Sequence, residues 1–76
     1  MKFDNHRYWK HVRSMDVFFS VTSVAFDDNG TDAILHGCWC TQGIDTWFFT
    51  HQSRIKITPH EYDNWEPYEP RGRITL

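Results

Sequence analysis

Apolar stretches along the chain are short, and turn residues break them at regular intervals. The clearest stretch is Asp16–Phe26, DVFFSVTSVAF, which is β-branched and aromatic and free of Pro and Gly. Such residues fit a pleated, half-buried surface, so a strand is expected here. Period-two alternation puts Val17, Phe19 and Val21 on one face and Phe18, Val24 and Phe26 on the other. With both faces partly apolar, the strand should curl across a core, as long strands do in small barrels. Asp27-Asp28-Asn29-Gly30 follows, and Asn-Gly is the preferred pair for a type I′ hairpin turn. The returning strand is Thr31–Thr41, with Ala33, Leu35 and Trp39 alternating against Ile34, His36, Cys38 and Cys40. Gly37 in its middle suggests a bulge or bend. After Gln42-Gly43, Ile44–Thr50 reads as a third strand, His51-Gln52-Ser53 as a connection, and Arg54–Ile57 as a fourth.

Thr58-Pro59-His60-Glu61 matches a capping box, with Pro59 at the first helical position. Ile57 and Tyr62 occupy the hydrophobic-staple positions around it. The spacing predicts a short helix over 59–65 with Tyr62 and Trp65 facing inward. Pro67, Pro70 and Gly72 then form a stiff loop, and Arg73–Leu76 a closing strand. Phe3–Val12 reads as a helix or helical turn with Tyr8 and Val12 at i,i+4. Strand count and spacing thus predict a mainly β chain, a five-stranded antiparallel barrel that resembles the SH3-like type. It is expected to fold as one domain spanning 1–76.

Composition explains how so few aliphatic residues make a core. Only 39% of the 76 residues are apolar, but 17% are Phe, Trp or Tyr. Aromatic rings bury far more area each than aliphatic side chains, so thirteen of them offset the shortage of leucine. That ring content and a net charge of −2 exclude a disordered chain. No apolar run is long enough for a membrane-spanning helix, and the first residues lack the apolar stretch of a secretory signal. Charge is uneven. Lys2, Arg7, Lys10 and Arg13 face Asp4 alone in the first thirteen residues, and Glu61, Asp63, Glu66 and Glu69 lie in a stretch without Lys or Arg. The two groups either pair across the fold or each face a partner, and pairing is the default expectation.

Chemistry-bearing patterns are sparse. His36, Cys38 and Cys40 would share one strand face, with His51 and His60 downstream, and form the alternative metal reading. Cys-x-Cys on a strand does not converge on one ion as Cys-x₂₋₄-Cys does, so both thiols are expected to be reduced fillers. Residues two apart on a strand are also poorly placed for a disulfide, which suits a cytoplasmic chain. No phosphate loop, nucleophile elbow or zinc-protease motif is present, so the chain is expected to be neither an enzyme nor a cofactor protein. Two binding surfaces stand out. Trp65, Glu66, Tyr68 and Glu69 form an acidic-aromatic loop stiffened by proline, suited to a protein partner. Arg7, Tyr8, Trp9, Lys10 and Arg13 interleave rings and cations, the texture of a single-strand nucleic-acid platform.

The opening Lys2-Phe3-Asp4-Asn5-His6-Arg7-Tyr8-Trp9-Lys10-His11-Val12, with Asp16-Val17 and the later Asp63-Asn64-Trp65, resembles short uncharacterised bacteriophage proteins. The resemblance implies an accessory protein acting in the host bacterial cytoplasm, and it assigns no site residues. The expected function is therefore binding, and inhibition or redirection, of a host protein. A small nucleic-acid-binding barrel is the alternative, and a sponge for a small nucleotide the third reading.

Overall fold

The structure, a computed structural model, describes residues 2–75, which form one six-stranded sheet. The strands are β1 (Tyr8–His11), β2 (Val17–Phe26), β3 (Ala33–Gln42), β4 (Thr46–Ile57), β5 (Trp65–Pro67) and β6 (Arg73–Thr75). They are hydrogen-bonded in the order β5-β1-β2-β3-β4-β6, antiparallel throughout except for the parallel pair β4–β6. A 3₁₀ turn at Lys2–Asp4 precedes β1, and a 3₁₀ helix at Pro59–Asn64 joins β4 to β5. The chain is mainly β, as its patterning predicts. Among the described residues no ladder joins β5 to β6, so the sheet is open in its hydrogen bonding.

Several elements differ from the sequence expectation. Tyr8–His11 is a strand and not a helix, because Trp9 is buried on one face while Tyr8 packs on the other. Only the 3₁₀ turn over Lys2–Asp4 remains helical there. The third and fourth expected strands are one, β4, which runs unbroken through His51-Gln52-Ser53. That polar tripeptide reads as a loop in sequence, yet it pairs fully with Trp39, Cys38 and Gly37. Thr50 is the extra residue of a bulge between the Trp39–His51 and Cys40–Phe49 pairs. Six strands therefore replace five. Trp65 opens β5, and Leu76, expected in the closing strand, lies outside the described residues.

Two turn expectations also change. Gly30 has φ 70 but Asn29 does not have positive φ, so the 27–32 connection is not a type I′ turn. Gly30 N–H donates to Asp27 O at 2.9 Å, and the Asp27 carboxylate accepts from Thr31 N–H at 3.0 Å and Asp32 N–H at 3.2 Å. Those bonds, Thr31's above all, hold the Asp27 carboxyl below its ordinary pKa. Thr58 makes no side-chain cap. Its hydroxyl lies 3.4 Å from His60 Nε2, and the helix start is closed instead by Glu61 N–H donating to Thr58 O at 2.9 Å. A 3₁₀ turn closes at i+3 through the backbone, so Glu61 N–H is taken by the Thr58 carbonyl and not by its hydroxyl.

The sheet carries apolar clusters on both faces. Phe3, Trp9, Phe19, Ala33, Leu35, Ile57 and Trp65 form the larger, with Val21, Val24, Trp39, Ile55 and Tyr62 packed around them. The bulge between Val21 and Ser23 places Val24 on the Phe19 face, not the Phe18 face that strict alternation predicts. Gly37 stands opposite Val21 beside this bulge, and a Cβ there would run into the Ser20 carbonyl. Ile57 and Tyr62 bracket the helix start, and the Tyr62 hydroxyl donates to Thr31 O at 2.9 Å. The smaller cluster, Phe18, Cys40 and Trp47, is flanked by Tyr8 and Tyr68. The basic opening docks on the acidic stretch. Lys10 pairs with Glu66 at 3.5 Å, and Lys2 Nζ donates to the Tyr62 and Trp65 carbonyls.

Candidate interaction surface

Gln42, at the end of β3, is only 5% exposed and organises one end of the molecule. Its side-chain amide donates to Gly43 O at 2.8 Å, Thr46 O at 3.2 Å and Arg71 O at 2.9 Å. Its Oε1 accepts from the Tyr68 hydroxyl at 2.7 Å and from Arg71 N–H at 2.9 Å. Its backbone N–H donates to Asp16 O at 2.7 Å. One residue thus ties together the segment after β1, the β3–β4 turn and the 68–72 connector. Gly72 completes the arrangement. It sits at φ 80 with no room for a Cβ beside the Asp45 carbonyl, which accepts from Arg73 N–H at 3.0 Å.

These loops hold apolar side chains out in solvent. Met15 is 86% and Ile44 88% exposed, values that leave almost no intramolecular contact to explain them. Val17 and Phe48 flank Thr41 on adjacent strands, on one face, and both are exposed. Scattered exposed apolar residues are ordinary, but several held at one end of a small domain make a patch. Arg13, Asp16, Asp45, Glu69, Arg71 and Arg73 are all exposed in the same segments and supply a charged rim of both signs.

The residues singled out from sequence are placed unevenly around this end. Trp65 is buried in the larger cluster, where its indole N–H has no hydrogen-bond partner among the described residues. Tyr68 lies half-buried on Phe18, with ring centroids 4.7 Å apart, and its hydroxyl is committed to Gln42. Glu66 is held by Lys10, while Glu69 is exposed on the connector. Of the basic-aromatic group, Trp9 is buried and its indole donates to His6 O at 2.9 Å. Tyr8 packs against Trp47, and Lys10 also donates to Ser14 O at 2.7 Å. Arg7 and Arg13 are exposed.

His36, Cys38 and Cys40 do share a sheet face, but His36 is exposed and each thiol points to a backbone carbonyl. Burial, with Cys38 adding to it, pushes the Cys40 thiol up to about 12, so it is neutral at pH 7. Among the described residues no group of three His, Cys, Asp or Glu side chains could hold a metal ion, and no helix is long and apolar enough to cross a membrane. A groove of about 440 Å³ lies between residues 3–7 and the bulged part of β2, lined by polar and apolar side chains alike.

Sequence reasoning missed Met15, Ile44 and Phe48. The available signal was a large apolar side chain at a turn position, most plainly Ile44 directly after Gln42-Gly43. No family model, no curated protein and no solved structure matches the chain.

Proposed function

We propose that the chain is a non-enzymatic SH3-like module that works by binding another protein through the loop end ordered by Gln42. The observation that carries this reading is the exposure of Met15, Val17, Ile44 and Phe48 around a buried polar hub. An apolar centre with a charged rim is the usual anatomy of a protein contact, and burying such side chains supplies most of its energy. Support for the barrel type comes from the path of the chain. Four strands are followed by a 3₁₀ helix, a return of β5 to β1, and a connector, 68–72, that links the two edges of the sheet. In this proposal the chain is a bacteriophage accessory protein in the host cytoplasm, and the partner is a host protein that it inhibits or redirects.

Nucleic-acid binding by the basic opening is the weaker reading, because Trp9 and Lys10 are already engaged inside the fold. Capture of a small nucleotide has the groove beside His6 and Arg7 in its favour, its volume falling within the range of ligand sites. Affinity capture from a bacterial lysate with and without nuclease separates these readings. A partner that survives nuclease and is lost on Ile44→Ser with Phe48→Ser supports the loop end. Loss of every partner after nuclease moves the function to nucleic acid.

A further inference from the structure

A second surface follows from the topology and is independent of the loop end. Strand β6 covers β4 only at Thr46, Trp47 and Phe48. From Thr50 to Ile57, β4 has no strand on its outer side among the described residues, and from His51 onward it is paired to β3 on the other. Eight residues at ~3.3 Å each leave about 26 Å of extended backbone whose outward N–H and C=O groups pair with no strand among the described residues. The outer sides of β5 and β6 are also bare but only three residues long, and the bare stretch of β2, residues 22–26, is bent by the bulge next to it and lies along the groove beside residues 3–7. The β4 edge carries no such obstruction, since its bulge residue, Thr50, marks only its beginning.

The side chains beside this edge select what can pair with it. Gln52, Arg54 and Lys56 stand opposite Cys38, His36 and Ile34 on one face. No carboxylate occupies that face beside Arg54, which has no ion pair among the described residues, while Lys56 reaches Asp32 at 3.4 Å. On the other face, His51, Ser53 and Ile55 stand opposite Trp39, Gly37 and Leu35, and Ile55 is only half covered. A second copy of the chain is a poor occupant. Antiparallel self-pairing would set the Arg54–Lys56 row against the same cations, and like charges across a ladder destabilise it. Cations on an edge discourage self-association in general, but a strand of opposite charge turns the same row into an attraction.

We infer that the outer edge of β4 is a strand-addition site for an extended segment of another protein in which acidic and apolar residues alternate. Carboxylates of that segment lie over Arg54 and Lys56. The apolar residues between them cover Ile55, and main-chain hydrogen bonds to residues 50–57 supply the sequence-independent part.

The test uses the full chain and a short capped peptide alternating glutamate and valine, with a lysine–valine peptide as its counterpart. By amide NMR, the glutamate peptide is expected to shift and protect residues 50–57, and to bind about tenfold tighter than the lysine peptide, with the gap narrowing in salt. Arg54→Glu with Lys56→Glu should reverse the preference, and because Lys56→Glu also breaks the contact with Asp32, binding is compared at a temperature where the melt shows the variant folded. Ile44→Ser with Phe48→Ser should leave peptide binding intact, which keeps this inference separate from the loop-end reading. Equal binding of both peptides, shifts confined to other residues, or edge protection that instead tracks a dimer of the chain would overturn it.

Discussion

Gln42 shows how much of this molecule depends on one buried polar side chain. Its amide and carbonyl satisfy three acceptors and two donors drawn from two segments, the β3–β4 turn and the 68–72 connector. Each buried group left unpaired costs about 1–3 kcal/mol, so Gln42→Ala should lose about 2–4 kcal/mol in a denaturant melt, with some partners recovering water. Gln42→Glu is the sharper probe. A carboxylate there would face the Gly43, Thr46 and Arg71 carbonyls without the donor they need, which raises its folded-state pKa above the unfolded value. The charged form is disfavoured in the fold, so stability of this variant should improve as pH falls through that raised pKa. A variant whose melting temperature is flat or falls from pH 7 to pH 5 would show that the hub is not desolvated. Thr58→Ala, by contrast, removes no cap and should cost no more than a few tenths of a kcal/mol, as surface substitutions do. The two thiols should also separate. Cys38 alkylates first, while Cys40 stays protected as a neutral buried thiol until the chain unfolds. Because its folded value of about 12 exceeds the ordinary 9.0, its stabilising contribution is constant below pH 9 and is lost between pH 9 and pH 12.

At the level of elements, the parallel β6 depends on a glycine. Arg73 N–H reaches Asp45 O only because Gly72 sits at φ 80 against that carbonyl. Gly72→Ala combines a left-handed backbone penalty of about 1 kcal/mol with a main-chain clash, so it should destabilise by about 2 kcal/mol or more. Hydrogen exchange should then show loss of protection in residues 73–75 ahead of the rest, and uniform loss would mean that β6 is not an independent unit. The elements that could be read from sequence are those whose pattern is local. The β2–β3 hairpin was legible because Asp16–Phe26 and Thr31–Thr41 alternate around turn residues, and the helix start was legible from Pro59. Strands β1 and β5 were not, because Tyr8–His11 and Trp65–Pro67 are short and acquire strand geometry from each other across the whole chain. The break expected at His51-Gln52-Ser53 was an error of the same kind. An outer strand keeps its ladder on one side only, so polar residues persist in it without ending it.

Over the whole molecule, which extends 40 × 21 × 18 Å, strand β3 runs between two unlike ends. The 27–32 connection at one end is tied by Asp27, and the Gln42 hub orders the other. Tyr68 and Glu69 of the acidic-aromatic group belong to the connector at the hub, while Trp65 is buried in the larger cluster and Glu66 is held by Lys10. The local residue pattern does not reveal that Tyr68 is spent on Phe18 and Gln42, because those contacts join residues far apart in the chain. Tyr68→Ala should therefore lower stability by about 2 kcal/mol, from ring contact and hydrogen bond together, before it says anything about binding. A clean test of the loop end needs side chains that the fold does not use. Ile44 at 88% exposure is such a position, Phe48 at 40% adds a partly covered ring beside it, and Phe26 at 50% exposure, near the opposite turn, is the control matched to Phe48. Ile44→Ser should change stability by no more than about 0.5 kcal/mol, while Phe48→Ser and Phe26→Ser, whose rings are half covered, should each cost about 1–2 kcal/mol, so capture is compared at a temperature where all variants are folded. If the loop end is the contact, Ile44→Ser with Phe48→Ser should weaken partner capture about tenfold or more, the scale of losing interface anchors. Phe26→Ser should leave capture as it was. Equal losses from both ends would mean that exposed apolar area alone drives association, and a loss from Phe26→Ser only would move the contact to the far turn.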